Sequence, residues 1–277
     1  MTVSTVKADQ TARQSLTQQL ISRVDRNDAD KAFGLYFISS SSDFAPLPRF
    51  VERSVFLRSF GNDDEEMDRE YGPYESSSFF ITVVDHRRAE PVGVIRVIEN
   101  SEAGLKTLTD IEREPRWGTT IQEFLDRHCA GDDLSKVLDV ATLGVRRKWS
   151  ATRAGSMVGV ALYGGLFRSV LATRANRVVA AIDESVANLL RSVDLPVEPI
   201  CDLPAIDYLG SAETKPYLIQ FDTVDQLLPR SPTLMGVLMG GMVDKDFSLP
   251  AIDLDNPNPH PTELEPQFID EPAPIRV

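Results

Sequence analysis

Apolar positions along the chain alternate between two spacings, and the alternation predicts a run of strands and helices. Residues 33–38 read as a strand and 39–42 as a loop. Residues 46–60 then carry Phe50, Val51, Ser54, Val55 and Phe56 at helical spacing, with Gly61 where a helix should stop. Residues 79–84 and 92–98 are β-branched and aromatic runs separated by a polar stretch with Pro91, the pattern of an antiparallel hairpin. A helix over 119–128 follows. Residues 136–145 read as a central strand that holds Asp139 and Thr142 within an apolar run. After a basic turn, 156–173 is apolar on most faces and rich in glycine, as expected for a buried, closely packed helix. A buried strand over 178–182, a helix over 184–193 and a last strand over 216–221 complete the series. Ahead of it, Leu16, Leu20, Ile21 and Val24 form one narrow stripe, a short helix in the first 30 residues. The order predicts an α/β (α+β) domain, one sheet with helices on both faces.

Composition bounds this picture. A chain of 277 residues with 42% hydrophobic content can bury one large core. The expected organisation is an N-terminal helical extension over 1–30, the main domain over 31–228, and a C-terminal extension over 229–277. Within that extension Pro250, Pro257, Pro259, Pro261, Pro266, Pro272 and Pro274 recur among acids. The stretch after about residue 249 is therefore expected to be disordered or docked as an extended arm. Two cysteines, Cys129 and Cys201, make no disulfide framework, and no signal peptide is evident, so the expected location is cytoplasmic. No run of roughly 18–20 apolar residues suggests a membrane span. The formal net charge of −13 argues against nucleic-acid binding, and residues 244–277 hold eight acids against two bases.

Three features carry candidate chemistry. Asp139 is an acid in an apolar strand, so it either serves as a general base or pairs with Arg96 or Arg53. Arg96, equally out of place within its strand, either binds an acceptor carboxylate or holds an acidic patch. The turn after the central strand, with Arg146, Arg147, Lys148 and Arg153 ahead of Gly155 and Ser156, offers charge and free amides at a helix N-terminus. It suits a pyrophosphate or phosphopantetheine phosphate, or else is a solvated basic turn. His86, His128 and His260 are scattered and no Cys-x-x-Cys occurs, so no metal site is expected. Cys201 reads as a packed residue.

Arg53-Ser-Val-Phe56 on a helix, the acids from Asp63 to Asp68, the strand Phe79-Phe-Ile-Thr-Val-Val84 and then Gly93-Val-Ile-Arg96 together resemble the N-terminal half of acyl-homoserine-lactone (autoinducer) synthases. Those enzymes are a branch of the GNAT acyltransferases, and the element order resembles that scaffold over about residues 33–221. The resemblance implies a GNAT-like mixed, mainly antiparallel central sheet and acyl transfer from acyl-CoA or acyl carrier protein to an amine. It implies acceptor binding by Arg53, Phe56, Arg96 and Thr142, an amine region bracketed by Glu65 and Asp68, and donor binding along Gly144 and Val145 of a splayed strand. The sequence departs from the pattern in having Phe60-Gly61 where a Trp is usual, and Asp139 and Thr142 where Glu and Arg are usual. That favours another amine or amino acid as acceptor. The helix over 184–191 also lacks the Tyr that many GNAT enzymes use as general acid. The alternative is a binding or scaffold protein that keeps the fold without the chemistry.

Overall fold

The computed structural model describes residues 3–24, 29–129, 134–150, 153–238 and 247–253. In chain order the elements are α1 (Val3–Ile21), β1 (Phe33–Ser39), α2 (Pro46–Phe60), α3 (Asp64–Tyr71), β2 (Ser78–Asp85), β3 (Glu90–Glu99), α4 (Lys106–Arg113), α5 (Ile121–His128) and β4 (Val137–Val145). The second half runs α6 (Arg147–Ser150), α7 (Arg153–Thr173), β5 (Arg177–Asp183), α8 (Glu184–Ser192), β6 (Val197–Pro199), β7 (Ile206–Tyr208), β8 (Ser211–Gln220), α9 (Phe221–Leu227), α10 (Pro232–Leu238) and β9 (Phe247–Asp253).

The strands form one sheet in the order β6-β8-β5-β4-β3-β2-β1-β9, with β7 paired to β8. Pairing is antiparallel except between β4 and β5 and between β1 and β9. Side chains alternate across β3, so the central strand serves both faces. Ile95 and Val97 enter the core beneath α7 with Val158 and Leu162. Val94 joins α1 and α2 through Leu20, Leu47 and Val51, and Ile98 joins α4 and α5 through Leu108 and Phe124. Helices thus cover both faces of a mixed, mainly antiparallel sheet.

Local chemistry explains the element ends. Gly61 stops α2 in the left-handed conformation (φ 81°) and donates to the Leu57 carbonyl. The acidic run reads as a mostly solvated loop by charge alone, yet it forms α3. Asp63 caps it by accepting from the Glu66 amide at 2.9 Å, and Asp64, Glu65 and Glu66 lie in the first turn, where the helix dipole favours negative charge. β9 extends regular structure to Asp253, past the point where the prolines predicted its end. It lies at the sheet edge, where only one side needs partners, and Pro250 falls at the register shift opposite Leu35. Residues 254–277, the rest of the expected disordered tail, lie outside the described residues.

Helix α7 contains a 19-residue stretch, Gly155–Thr173, apolar and long enough to cross a membrane by length and composition. Here it packs on the sheet as a core helix, with Val158, Leu162 and Val170 buried. Its glycines differ in purpose. A Cβ on Gly165 would come within 2.6 Å of Ile81 Cγ2, whereas one on Gly159 would meet nothing within 4 Å. Urea unfolding should therefore show Gly165→Ala losing up to about 2 kcal/mol, because overpacking costs about 1–3 kcal/mol and the helical gain is about 1 kcal/mol. Gly159→Ala should gain up to about 1 kcal/mol.

Candidate active site

The site is organised by a break in the sheet. β4 and β5 pair through three residues only, Val137 with Arg177, Leu138 with Val178 and Asp139 with Val179, and then diverge although β4 runs on to Val145 and β5 to Asp183. On the other edge of β4 the register shifts between Arg96–Thr142 and Val97–Val140, so Ala141 is an extra residue, a β-bulge at the point of divergence. Val140, Val145, Met157, Ile182 and Val186, from β4, α7, β5 and α8, remain only partly buried around the opening on the α7 face. On the opposite face Ala141 packs against Phe56, Met67 and Tyr71 of α2 and α3.

Beside the bulge lies a buried ionic network. Arg96, 3% exposed, donates to both Glu52 oxygens, from Nε at 2.8 Å and Nη2 at 2.7 Å, and from Nη1 to Glu75 at 2.7 Å. Thr142 Oγ1 donates to Glu52 at 2.6 Å, and Arg49 Nε donates to Glu75 at 2.9 Å. Burial works to lower the Arg96 pKa, but Glu52 and Glu75 outweigh it and the net shift is upward. Burial likewise raises Glu75, yet its bonds to Arg96 and Arg49 leave it below the usual carboxylate range.

A second knot surrounds Lys106, whose ammonium donates to Asp110 at 2.7 Å, Tyr208 at 2.9 Å and Glu70 at 3.0 Å. Burial depresses Lys106 and the two carboxylates more than compensate. Tyr71 joins the two networks, with Arg96 and Lys106 each 5.3 Å from its ring. The β7–β8 hairpin reaches across from the other half of the sheet to meet them. Tyr208 also donates to Asp110, Leu209 O accepts from Asn62 Nδ2 at 3.1 Å, and a Cβ on Gly210 would fall 2.3 Å from Phe60 O. The hairpin therefore straps the α2–α4 face of the divergence.

Asp139 is the last residue of β4 paired to β5 and is fully buried. Its partner is neither Arg96 nor Arg53. It accepts from the Thr107 amide at 2.5 Å and the Thr107 hydroxyl at 2.8 Å, capping α4, whose own N-cap position, Leu105, has no side-chain acceptor. Burial pushes its carboxyl up to about 7, against the lowering effect of the Thr107 bonds.

The other expected site residues are dispersed around this centre. Arg53 is half-buried and bonds Asp64 at 3.1 Å and also Asp68, while Glu65 is exposed on α3. Phe56 is buried against Tyr71, and Thr142 lies against Glu52. Gly144 pairs with Val94 and Val145 with Gly93, at the free end of β4. In the basic turn Arg146 pairs with Glu90, Lys148 approaches Glu90 at 3.6 Å, Arg147 is exposed, and Gly155 and Ser156 sit in the first turns of α7. The side chain of Arg153 lies outside the described residues. Cys201 Sγ is 3.8 Å from His128 Nε2, and no three metal-ligating side chains converge among the described residues.

Sequence reasoning missed Glu52, Tyr71, Glu75, Lys106 and Asp110. Glu52 carried a signal, because Pro48, Glu52 and Phe56 follow one another at four-residue spacing and so line one face of α2.

No family model matches the sequence, and no curated relative matches it. Solved structures do. The AHL synthase LasI aligns with a TM-score of 0.51 at 14% identity, covering 76% of this chain and 96% of that one. FeeM, an N-acyl amino acid synthase from uncultured soil microbes, aligns with a TM-score of 0.53 at 12% identity, covering 72% and 97%. This chain has the GNAT-like fold of those acyl-transferring synthases. Identities this low establish the fold and leave its chemistry to the chain's own residues.

Proposed function

We propose that the protein is an N-acyltransferase, which takes an acyl group from a thioester and places it on the amine of a small molecule. The observation that carries this reading is the divergence of β4 from β5, an opening between two strands with apolar walls from four elements. A phosphopantetheine arm is extended and carries amides, so it can pair with the open edge of β4 at Gly144 and Val145 while its acyl chain meets Val140, Ile182 and Val186. As amine nitrogen bonds the thioester carbon, the carbonyl oxygen gains negative charge. The amide of the bulged Ala141 is the group we assign to meet it. The C–S bond then breaks, and the proton lost by the amine passes through water to the departing thiolate.

Asp139, with both oxygens on Thr107, acts in this reading as a positioning residue that fixes α4 beside the bulge. The donor's phosphate end lies at the β4–α6–α7 turn. There Arg146 and Lys148 both reach Glu90 beside the β2–β3 turn, and Arg88 of that turn lies 5.0 Å from the Trp149 ring. Arg88, Arg146, Arg147 and Lys148 outnumber their carboxylate partners Asp85 and Glu90, and a basic end on an acidic chain suits an acidic carrier protein as donor, with acyl-CoA as the other source of the same arm. We place the protein in the cytoplasm, where such thioesters are made.

The engagement of Asp139 by Thr107 also favours a second reading, a fold that binds thioesters without turning them over. Calorimetric titration with acetyl-CoA, a long-chain acyl-CoA and an acylated carrier protein tests donor binding. We expect saturable binding of one donor, weakened at least fivefold by a Val140→Trp change that fills the opening. Absence of binding by all three removes both readings.

A further inference from the structure

Tyr163 of α7 carries a hydroxyl that meets no protein partner among the described residues. Its ring is partly buried against the core shared by β4, β5 and α8. Burial alone pushes the phenol up to about 12, with no hydrogen bond or charge contributing.

Contacts along α7 fix where this side chain lies. A Cβ on Gly93 of β3 would fall 2.6 Å from Val158 and 3.1 Å from Leu162, so those two residues face the sheet. Phe167 stacks on Phe221, the residue after β8, with 6.0 Å between ring centroids. At about 100° per residue, Tyr163 lies about 140° round the helix from Val158 and about 40° short of Phe167, on the side turned toward β5 and β8. Gly159, one turn earlier, shares that side, since β4 and β5 are parallel and joined through α7 in a right-handed crossover. A Cβ there would meet nothing within 4 Å. Along the strands, Gly93 is in register with Val145, while Gly165 lies against Ile81, in register with Ile95 and Leu143. Tyr163, between Leu162 and Gly165, is therefore level with the free end of β4, beyond the bulge at Ala141.

On the acyltransfer reading, we propose that Tyr163 is a donor-binding residue, its hydroxyl donating to an amide carbonyl of the phosphopantetheine arm in a lane that Gly159 leaves open. An arm paired with Gly144 and Val145 turns one edge to β4 and the other away from it, where its remaining amide needs a partner. Helical side chains lean toward the helix N-terminus, so the ring reaches back along the arm rather than down to the reacting carbon beside Ala141. The hydroxyl thus gains on binding the hydrogen bond that the free chain does not supply.

Calorimetric titration of the full chain tests this with coenzyme A and acetyl-CoA, and with carrier protein bearing the free and the acylated arm. Tyr163→Phe should weaken whichever donor the parent binds at least fivefold, with a urea midpoint no lower than the parent's, because no bond within the protein is lost. The loss should be equal for the acylated donor and its free thiol, which share the arm. Gly159→Leu, which fills the lane, should weaken both forms at least as much. Unchanged affinity in either variant overturns the inference. So does a lowered midpoint in Tyr163→Phe, which would mark a hydrogen bond inside the protein, or a loss confined to the acylated form, which would put the hydroxyl on the reacting carbon. A parent that binds no donor removes the acyltransfer reading and this inference together, whereas a parent that binds a donor as tightly as its Phe variant removes this inference alone.

Discussion

Replacing Arg96 with methionine should lower the stability of the chain by about 3–5 kcal/mol, the usual cost of leaving buried charge without its partner. Two carboxylates lose their counter-ion together. Glu52 is 1% exposed, and its two oxygens would keep only the Thr142 hydroxyl, while Glu75 would keep Arg49. The cost lies in the stranded charge, so removing the charge should recover much of it. Arg96→Met combined with Glu52→Met should be more stable in urea than Arg96→Met alone, a favourable coupling between neighbouring substitutions. A single change costing less than about 1 kcal/mol, or a double change costing the sum of the two, would show that the network is not the buried unit described above.

The second large effect follows the pH. The Asp139 carboxyl is held up to about 7 in the folded chain, against 3.8 for an ordinary aspartate. Between those values the unfolded chain has lost this proton while the folded chain keeps it. The unfolded state therefore binds fewer protons, and stability from this group falls as pH rises through the window. The contribution is fully present below about pH 4 and lost as pH passes about 7. At about 1.4 kcal/mol per unit the difference is of the order of 4 kcal/mol. Asp139→Asn removes the titration and keeps the shape, since the amide oxygen accepts from the Thr107 amide and the Thr107 hydroxyl rotates to accept from the amide nitrogen. Relative to the parent, the Asn protein should gain stability steadily from pH 4 to pH 8 in parallel urea titrations. A constant difference across that range would contradict the buried, proton-holding state. Turnover bears on the same residue. A positioning role predicts that Asp139→Asn retains activity, whereas a general base would lose roughly 10²–10⁴-fold.

Much of the architecture was legible because strands and long helices declare themselves by period. The stripe of α2 with its Gly61 stop, the β2–β3 hairpin, the apolar α7 and the order of elements could all be read from spacing, and so could the fold they compose. The missed elements were hidden for different reasons. α4 has no local cap, because its acceptor, Asp139, arrives 32 residues later from β4, and no short window contains both halves of that bond. α3 was hidden by its charge, which looks like a solvated run until Asp63 and the helix dipole are considered together. The strand β9 was hidden by Pro250, harmless at a sheet edge.

The site was legible in part. Asp139 and Arg96 stood out as charges inside apolar strands, but a sequence does not say which partner a buried charge has taken. Arg96 chose Glu52, whose only signal was its place on the Pro48–Phe56 face, and Asp139 chose a backbone amide. The divergence of β4 and β5 has no residue signature in the chain. It depends on where pairing stops, a property of two strands separated by the whole of α7.

Hydrogen exchange of the full chain with and without a saturating acylated donor tests that divergence most directly. If the donor arm lies along the open edge of β4, amides from Val140 to Val145 and from Ala180 to Asp183 should slow at least tenfold on binding, while those of β1 and β2 stay unchanged. Protection elsewhere, or binding with no protection in these two segments, would contradict the assignment of the opening as the thioester site.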